Sequence, residues 1–436
     1  MSEQPAFSIC GLVSQIKERR LRASEIVAAC LERIERLEPK LQAWAFLDPE
    51  RSRREAERLD RLADEGTLLP LHGVPVGVKD IIEVAGMPTA AGFEPYRGRI
   101  AREDAPIVAR LRALGALILG KTYTTQFAFA DPAPTANPWH PERTPGGSSS
   151  GSGAAVAARM VPLALGSQTA GSVLRPAAYC GAVGFKPSYG WFSMEGVIPL
   201  AWSLDHLGLI ACTVQDAALT YVALLEQRVD FSFQPQPPRL LLLTDFLDRS
   251  EPAVRANLLE AAQAFRDAGA TVEERHLPVD LDLLLAVHHV LMTTEAAAVH
   301  RETLAHYREH YGPRLRAAIE AGLLVPAALE LHARRLRARL ARTIDELLSQ
   351  ADAALLPTVP APAPGRETTG DRSFQAVWTL CRAPSISLPS GLSPDGLPLA
   401  IQLVARQGHD RGLLQVAAWC EPALPRLPEP PMAAGA

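Results

Sequence analysis

The apolar positions of this chain change their period twice. Over residues 12–64 they return at three- and four-residue steps, as at Ile26, Cys30, Ile34 and Leu37 with Arg and Glu between them, which predicts amphipathic helix with Ser24 as an N-cap. Two short apolar runs bounded by glycine follow, residues 73–78 and 116–119, and read as buried strands with a helix over 106–114 between them. A Gly/Ser-rich stretch at 146–153 leads into an Ala-rich helix at 154–160, and a second glycine-punctuated stretch covers 166–190. After a polar, proline-containing connection at 234–238, the alternation resumes with a strand at 239–244, a helix near 253–268 and a strand near 270–274. Residues 283–351 read as a helical excursion, and strands return at 353–358 and 397–404. Strands alternating with helices predict an α/β fold, with no internal repeat.

Composition narrows the function classes. With 436 residues, 47% of them hydrophobic, the chain can bury one large core or two ordinary ones. The 44 basic and 48 acidic residues leave a net charge of −4 without a block of one sign, so nucleic acid and anionic membrane are not expected as partners. Thirty glycines and 37 prolines are ordinary usage for a folded chain. Six scattered cysteines without CxxC spacing fit reduced thiols rather than a disulfide framework or a zinc site. Residues 1–9 lack a secretory pattern, and no apolar run reaches the ~18 residues of a membrane span, so the expectation is a soluble cytoplasmic protein. Only five of the basic residues are lysine (Lys17, Lys40, Lys79, Lys121 and Lys186). Arginine cannot lose its proton in a protein and a buried lysine can, so a lysine inside an apolar segment is a candidate base.

Three motifs fail on context. Gly115-Ala-Leu-Ile-Leu-Gly120-Lys121-Thr122 fits the P-loop expression, but its variable positions make a buried strand rather than a phosphate cradle, which leaves a nucleotide-binding protein using Lys121 as the alternative of another class. His306-Tyr-Arg-Glu309-His310 has the spacing of an inverted zincin, yet Arg301, Arg308 and Arg314 crowd it, and a solvated amphipathic helix is the plainer reading. Gly147-Ser148-Ser149-Ser150-Gly151 fits a nucleophile elbow, but the proline-broken segment before it is not the strand that an elbow needs. Because the same loop runs straight into a helix, its backbone amides are ordered and it reads as part of a site. In the second stretch, the small residues Thr169-Ala170-Gly171 allow close backbone approach, and Ser172 stands at a helix entrance ahead of Pro176. An oxyanion hole and a tight glycine turn with a serine cap explain this segment equally well.

Taken together, these segments resemble a known family. Lys79-Asp80 after an apolar strand, Gly146-Gly-Ser-Ser-Ser-Gly-Ser152, Thr169-Ala-Gly-Ser172 with Arg175-Pro-Ala-Ala, and Gly184-Phe-Lys186-Pro are similar to the amidase signature family. Asn137-Pro138, Ser203-Leu-Asp205-His206, Leu356-Pro-Thr358, Gly396-Leu-Pro398 and Gln402-Leu-Val404 extend the resemblance over about residues 10–420. It implies a single domain with a central mixed β-sheet surrounded by α-helices, with 1–65 a helical segment packed on it and 66–425 the α/β domain including the excursion, while the Pro/Ala-rich composition of 426–436 reads as a frayed tail. It further implies a triad in which Ser172 is the nucleophile, Ser148, after a cis peptide bond, the bridging serine and Lys79 the base, with the N–H groups of Thr169, Ala170, Gly171 and Ser172 as the oxyanion hole. Apolar neighbours of Lys79 should disfavour its charged form. Using an unperturbed lysine as a neutral base near pH 7.5 would cost about 4 kcal/mol, so burial has to supply much of that.

The implied activity is hydrolysis of a carboxylic amide or a related C–N bond such as a carbamate, urethane or anilide, outside peptide bonds and with no cofactor or metal. The partner is then a small-molecule amide or carbamate, and a homodimer is compatible with the sequence. The alternative within the family is a subunit that releases ammonia from Gln or Asn in a transamidation complex. Two positions depart from the frequent Asp-Thr-Gly-Gly-Ser: Gln168 stands for the Asp and Ala170 for a glycine. Arg175, Ser149 and Gly147 are candidate substrate contacts, although an arginine so placed more often ties loop carbonyls together.

Overall fold

The computed structural model describes residues 7–225 and 235–434. Its strands are β1 (Trp44–Leu47), β2 (Pro75–Lys79), β3 (Leu117–Thr122), β4 (Leu163–Gln168), β5 (Val183–Lys186), β6 (His206–Ala211), β7 (Arg239–Leu243), β8 (Thr271–Arg275), β9 (Ala353–Pro357), β10 (Ser385–Leu392) and β11 (Pro398–Val404). All eleven join one sheet in the order β1-β3-β2-β4-β6-β5-β10-β11-β9-β7-β8. β2 is parallel to β3 and β4, β7 is parallel to β8 and β9, and the remaining pairs are antiparallel. The sheet is mixed and helices cover it, as the resemblance implies.

Both faces of the inner strands are dry, which explains why so few strands show alternation. On β3, Leu117 and Leu119 enter one apolar cluster while Ile118 enters another, and on β4 Ala164 parts in the same way from Leu163 and Leu165. Strands buried on both faces read as apolar runs without a period of two. Strands β4, β5, β6 and β10 do not separate from the glycine-rich segments around them for a second reason. Helix Ser150–Ala157 and helix Leu174–Cys180 lie almost on the sheet, so the strands beneath need residues without a Cβ. A Cβ on Gly184 would stand 2.6 Å from the Ala177 side chain, and one on Gly166 would stand 2.9 Å from Ser149 Oγ.

Other differences are local. The segment read as wholly helical holds the edge strand β1, where Trp44 opposes Thr122 and the indole N–H points at the Met160 sulfur 3.3 Å away. Ser24 lies inside helix Ala23–Leu41 rather than capping it; Glu25 accepts from the Arg22 N–H at 2.7 Å and Asp60 from the Ala23 N–H at 2.8 Å. The helix expected at 154–160 begins earlier, at Ser150. The expected connection at 234–238 lies partly outside the described residues.

The excursion consists of helices Leu281–Tyr307, Pro313–Leu323 and Ala327–Leu348. The first is long and apolar enough to cross a membrane by length and composition. Here it buries Leu284, Val287, Leu291 and the polar His288 and Glu295 against the protein. Residues 426–434, whose composition reads as a frayed tail, run along the surface: Glu429 pairs with Arg33, the Met432 N–H donates to Pro138 O at 3.2 Å, and Ala433 is buried.

Candidate active site

Lys79 ends β2, the strand flanked on both sides by parallel neighbours, and such strand ends are where open α/β sheets place their ligands. Its ammonium nitrogen lies 2.6 Å from Ser148 Oγ, 2.8 Å from Ser167 Oγ and 3.4 Å from Ser167 O. No carboxylate among the described residues makes an ion pair with it. Complete burial pulls its pKa well below the ordinary lysine value; the field of Asp205 opposes that shift and the Arg175 guanidinium adds to it. A neutral amine between hydroxyls is the form that can accept a proton.

The loop that carries Ser148 is fixed from several directions. The Gly147–Ser148 peptide is cis, as the resemblance implies. Ser148 O accepts from the Thr125 N–H at 3.1 Å, and Gly147 O accepts from Arg175 Nη2 at 2.6 Å. Arg175 also donates to Gly370 O at 2.9 Å, so its guanidinium ties loop carbonyls together instead of reaching toward a substrate. Ser149 is spent in the same way: its fully buried hydroxyl meets the N–H and C=O of Ser167, each at 3.3 Å. A Cβ on Gly147 would press on the methyls of Thr369 at 2.8 Å and Thr125 at 3.0 Å, so the glycine answers to packing.

Ser172 reaches this loop through the backbone, its carbonyl accepting from the Ser149 N–H at 3.2 Å. Ser172 is 6% exposed while Lys79 and Ser148 are at 0%, so of these three residues only Ser172 has surface open to solvent. The carbonyls before and at Ser172 are all held. Thr169 O accepts from His288 Nε2 at 2.9 Å, Ala170 O from Thr379 Oγ1 at 2.8 Å, and Gly171 O from the Arg175 N–H at 2.9 Å. Because N–H and C=O point opposite ways across each planar peptide, holding these carbonyls turns the N–H groups of Ala170, Gly171 and Ser172 to the other side. These held carbonyls fix the orientation of three successive peptides, whose N–H groups an oxyanion would need as donors.

Residues that the motifs did not single out do much of this holding. Gln168 accepts from the Val173 and Leu174 N–H groups at 3.0 and 3.1 Å and donates to Thr379 Oγ1 at 3.1 Å. Its amide oxygen thus caps helix Leu174–Cys180 without the charge of an aspartate. Asp205 receives the Thr169 hydroxyl at 2.6 Å and the Leu200 and Ala201 N–H groups at 2.9 Å, and burial raises its pKa to about 6. Burial lowers the His288 pKa to about 3, so its imidazole is a neutral donor. Ser167 lay inside the glycine-punctuated stretch at 166–190, Gln168 stood out only as a departure from the family form, and Asp205 lay in a quoted motif, each without a role. Nothing local in the sequence marks Thr379 or His288.

The rejected motifs resolve clearly. Lys121 lies in β3 and is paired with Asp80 at 3.1 Å, so it offers no phosphate cradle. His306 is exposed and bonds Glu302 O of its own helix at 2.8 Å, and that helix ends at Tyr307, before Glu309 and His310.

A mixed sheet wrapped by helices, with a deeply buried lysine on a serine hydroxyl beside an array of oriented amides, is the frame of an enzyme that acts on C–N bonds. The chain belongs to the amidase family: the sequence profile of that family, described as Amidase, matches residues 25–414. It is 34% identical to an amidase of Pseudomonas putida over 91% of this chain and 92% of that one. It is 35% identical to a Glutamyl-tRNA(Gln) amidotransferase chain of Thermus thermophilus over 95% of this chain and 98% of the relative. Among solved structures, native peptide amidase from Stenotrophomonas maltophilia superposes with a TM-score of 0.83 at 28% identity, covering 97% of this chain and 98% of that one.

Proposed function

We propose that this protein is an amidase that hydrolyses a small carboxylic amide, or a related carbamate or anilide, through an acyl-enzyme on Ser172. The observation that carries the reading is the buried amine of Lys79, free of any carboxylate partner among the described residues and 2.6 Å from Ser148 Oγ. Lys79 takes a proton from Ser148 as Ser148 takes one from Ser172, and the Ser172 oxygen attacks the carbonyl carbon. The oxyanion is received by the N–H groups at 169–172, where one such donor is typically worth about 3–4 kcal/mol. The relay then runs backward, protonating the leaving amine, and water enters by the same route to release the acid. No step calls for a cofactor or metal.

The test is labelling with a fluorophosphonate followed by peptide mapping. Modification of Ser172, lost in Lys79→Ala, supports the reading; modification of Ser149 alone refutes the choice of nucleophile. A second reading, an ammonia-releasing member of a transamidation complex, is favoured by the similarity to the Thermus amidotransferase. Such a protein should copurify with partners and depend on them for turnover, whereas an independent amidase turns over amides alone. The peptide amidase among the structural relatives extends the substrate panel to peptide amides, beyond the non-peptide bonds that the sequence reading expects.

A further inference from the structure

Near this site the guanidinium of Arg372 makes no hydrogen bond or ion pair among the described residues. Arg372 stands at the N-cap of helix Ser373–Leu380, the helix whose Thr379 holds Ala170 O. Its guanidinium lies 5.9 Å from the ring centroid of Phe129. Phe129 is tied to the bridging-serine loop, because its carbonyl accepts from Thr125 Oγ1 at 2.8 Å and the Thr125 N–H bonds Ser148 O. On another side, the charge of Arg372 is felt by His288 and His289 of helix Leu281–Tyr307, and His288 holds Thr169 O. The guanidinium therefore sits where three elements that hold the reacting loops converge.

Four other arginines touching the same segments are hydrogen-bonded, and Arg382, past the far end of the same helix, stacks on Tyr189. Arg175 bonds Gly147 O and Gly370 O, Arg314 bonds Ala130 O and Glu367 O, Arg337 bonds Ser203 and Leu380 O, and Arg366 bonds Pro134 O. Among the described residues, no hydrogen bond or ion pair occupies the Arg372 nitrogens. Its neighbour Asp371 is the countercharge whose field it feels, but that carboxylate makes no ion pair with it and spends an oxygen on the Ser373 N–H at 2.6 Å. A half-buried guanidinium with its five donors unspent favours a carboxylate, whose two oxygens match its fork.

We propose that Arg372 recognises a carboxylate carried by the substrate, so that this enzyme prefers amides bearing an anionic group to neutral amides of the same shape. The proposal rests on the amidase reading and specifies its substrate class. The test uses the full chain with two matched pairs: succinamate against butyramide, which places the charge on the acyl side, and N-acetylglycine against N-ethylacetamide, which places it on the amine side. In at least one pair the anionic member is expected to have a kcat/KM at least tenfold higher, expressed mainly in KM. Arg372→Met should bring that ratio near one, and Arg372→Lys should restore part of it, a pattern that a merely structural role would not produce. Succinate binding to Ser172→Ala protein, followed by calorimetry, should weaken at least tenfold when Arg372→Met is added. Turnover without an Arg372-dependent preference overturns the anion site alone. Turnover of neither pair, with succinate still bound through Arg372, counts against the amidase reading and leaves the anion site standing. Absence of both turnover and Arg372-dependent binding overturns the proposal.

Discussion

Lys79 and Lys121 sit on adjacent parallel strands, one register step apart: Lys79 pairs with Thr122 and Val78 with Lys121. Alternation along the strands sends them to opposite faces of the sheet. Both are fully buried, and burial lowers both pKa values. Lys121 meets the Asp80 carboxylate at 3.1 Å, Thr89 Oγ1 at 3.0 Å and Pro88 O at 2.9 Å, a set that favours the cation. Lys79 meets two hydroxyls and a carbonyl, and the field that opposes its shift is that of Asp205, itself buried. One lysine is an internal ion pair, the other an amine poised to lose its proton. Lys186 sharpens the lesson. Burial brings its pKa to about 7, yet among the described residues its hydrogen bonds go to the carbonyls of Pro187 and Ala383 and none to a hydroxyl that could pass a proton. A lowered pKa makes a base only where a relay is within reach.

The largest effect expected from this contrast is on turnover. Lys79→Ala and Ser172→Ala should each lower kcat/KM on a responsive amide by at least ~10⁴-fold with the circular dichroism spectrum retained, whereas folded Lys121→Met should keep the chemistry. Equal losses for both lysines would break the comparison.

Stability should reverse that order. Lys121→Met strands Asp80 as a buried unpaired carboxylate and is expected to cost about 3–5 kcal/mol in denaturant unfolding. Adding Asp80→Leu should recover much of this, since removing both partners takes away the uncompensated charge. Lys79→Met should stabilise instead, because it removes a buried amine without a counter-charge. The folded pKa of Lys79 is depressed, so between that value and the ordinary lysine value of about 10.4 the unfolded chain binds more protons, and wild-type stability rises with pH across the window. The advantage of Lys79→Met is therefore expected to be greatest at acid pH and to shrink as pH rises. In wild type, kcat/KM should fall on the acid side as Lys79 takes up its proton, and an unchanged acid limb in Lys79→Arg would count against its role as base.

The smallest effect concerns the second hydroxyl on Lys79. Ser167→Ala removes a 2.8 Å contact, and with one hydrogen bond worth about 0.5–1.5 kcal/mol it should lower kcat roughly three- to tenfold. A shift of the acid limb in the same variant would show that Ser167 also helps set the protonation of the amine.

Where the sequence was legible, the reason was local. Lys79 stood out because an arginine-rich chain had placed a lysine at the end of an apolar run, and the two glycine-lined loops stood out because their small residues had no helical or strand period. Strand β1 hid among helices because four residues carry too little pattern. Strands β4 and β5 hid behind glycines that exist to let helices approach. Arg175 could be read either as a substrate clamp or as a tie between loops, and only its contacts with Gly147 O and Gly370 O decide between them.

The amino-acid order alone determined the α/β alternation, the glycine-lined loops and Lys79 as a candidate base, because these rest on residue type and short-range spacing, while the relay through Ser148 and Ser172 came from the family resemblance that those segments carry. Which buried lysine lacks a carboxylate, and which side chains hold the carbonyls around Ser172, was decided only by the tertiary structure. Those answers depend on groups such as Gln168 and Thr379, brought together across 211 residues by the order of strands in the sheet, and no local pattern encodes such a meeting.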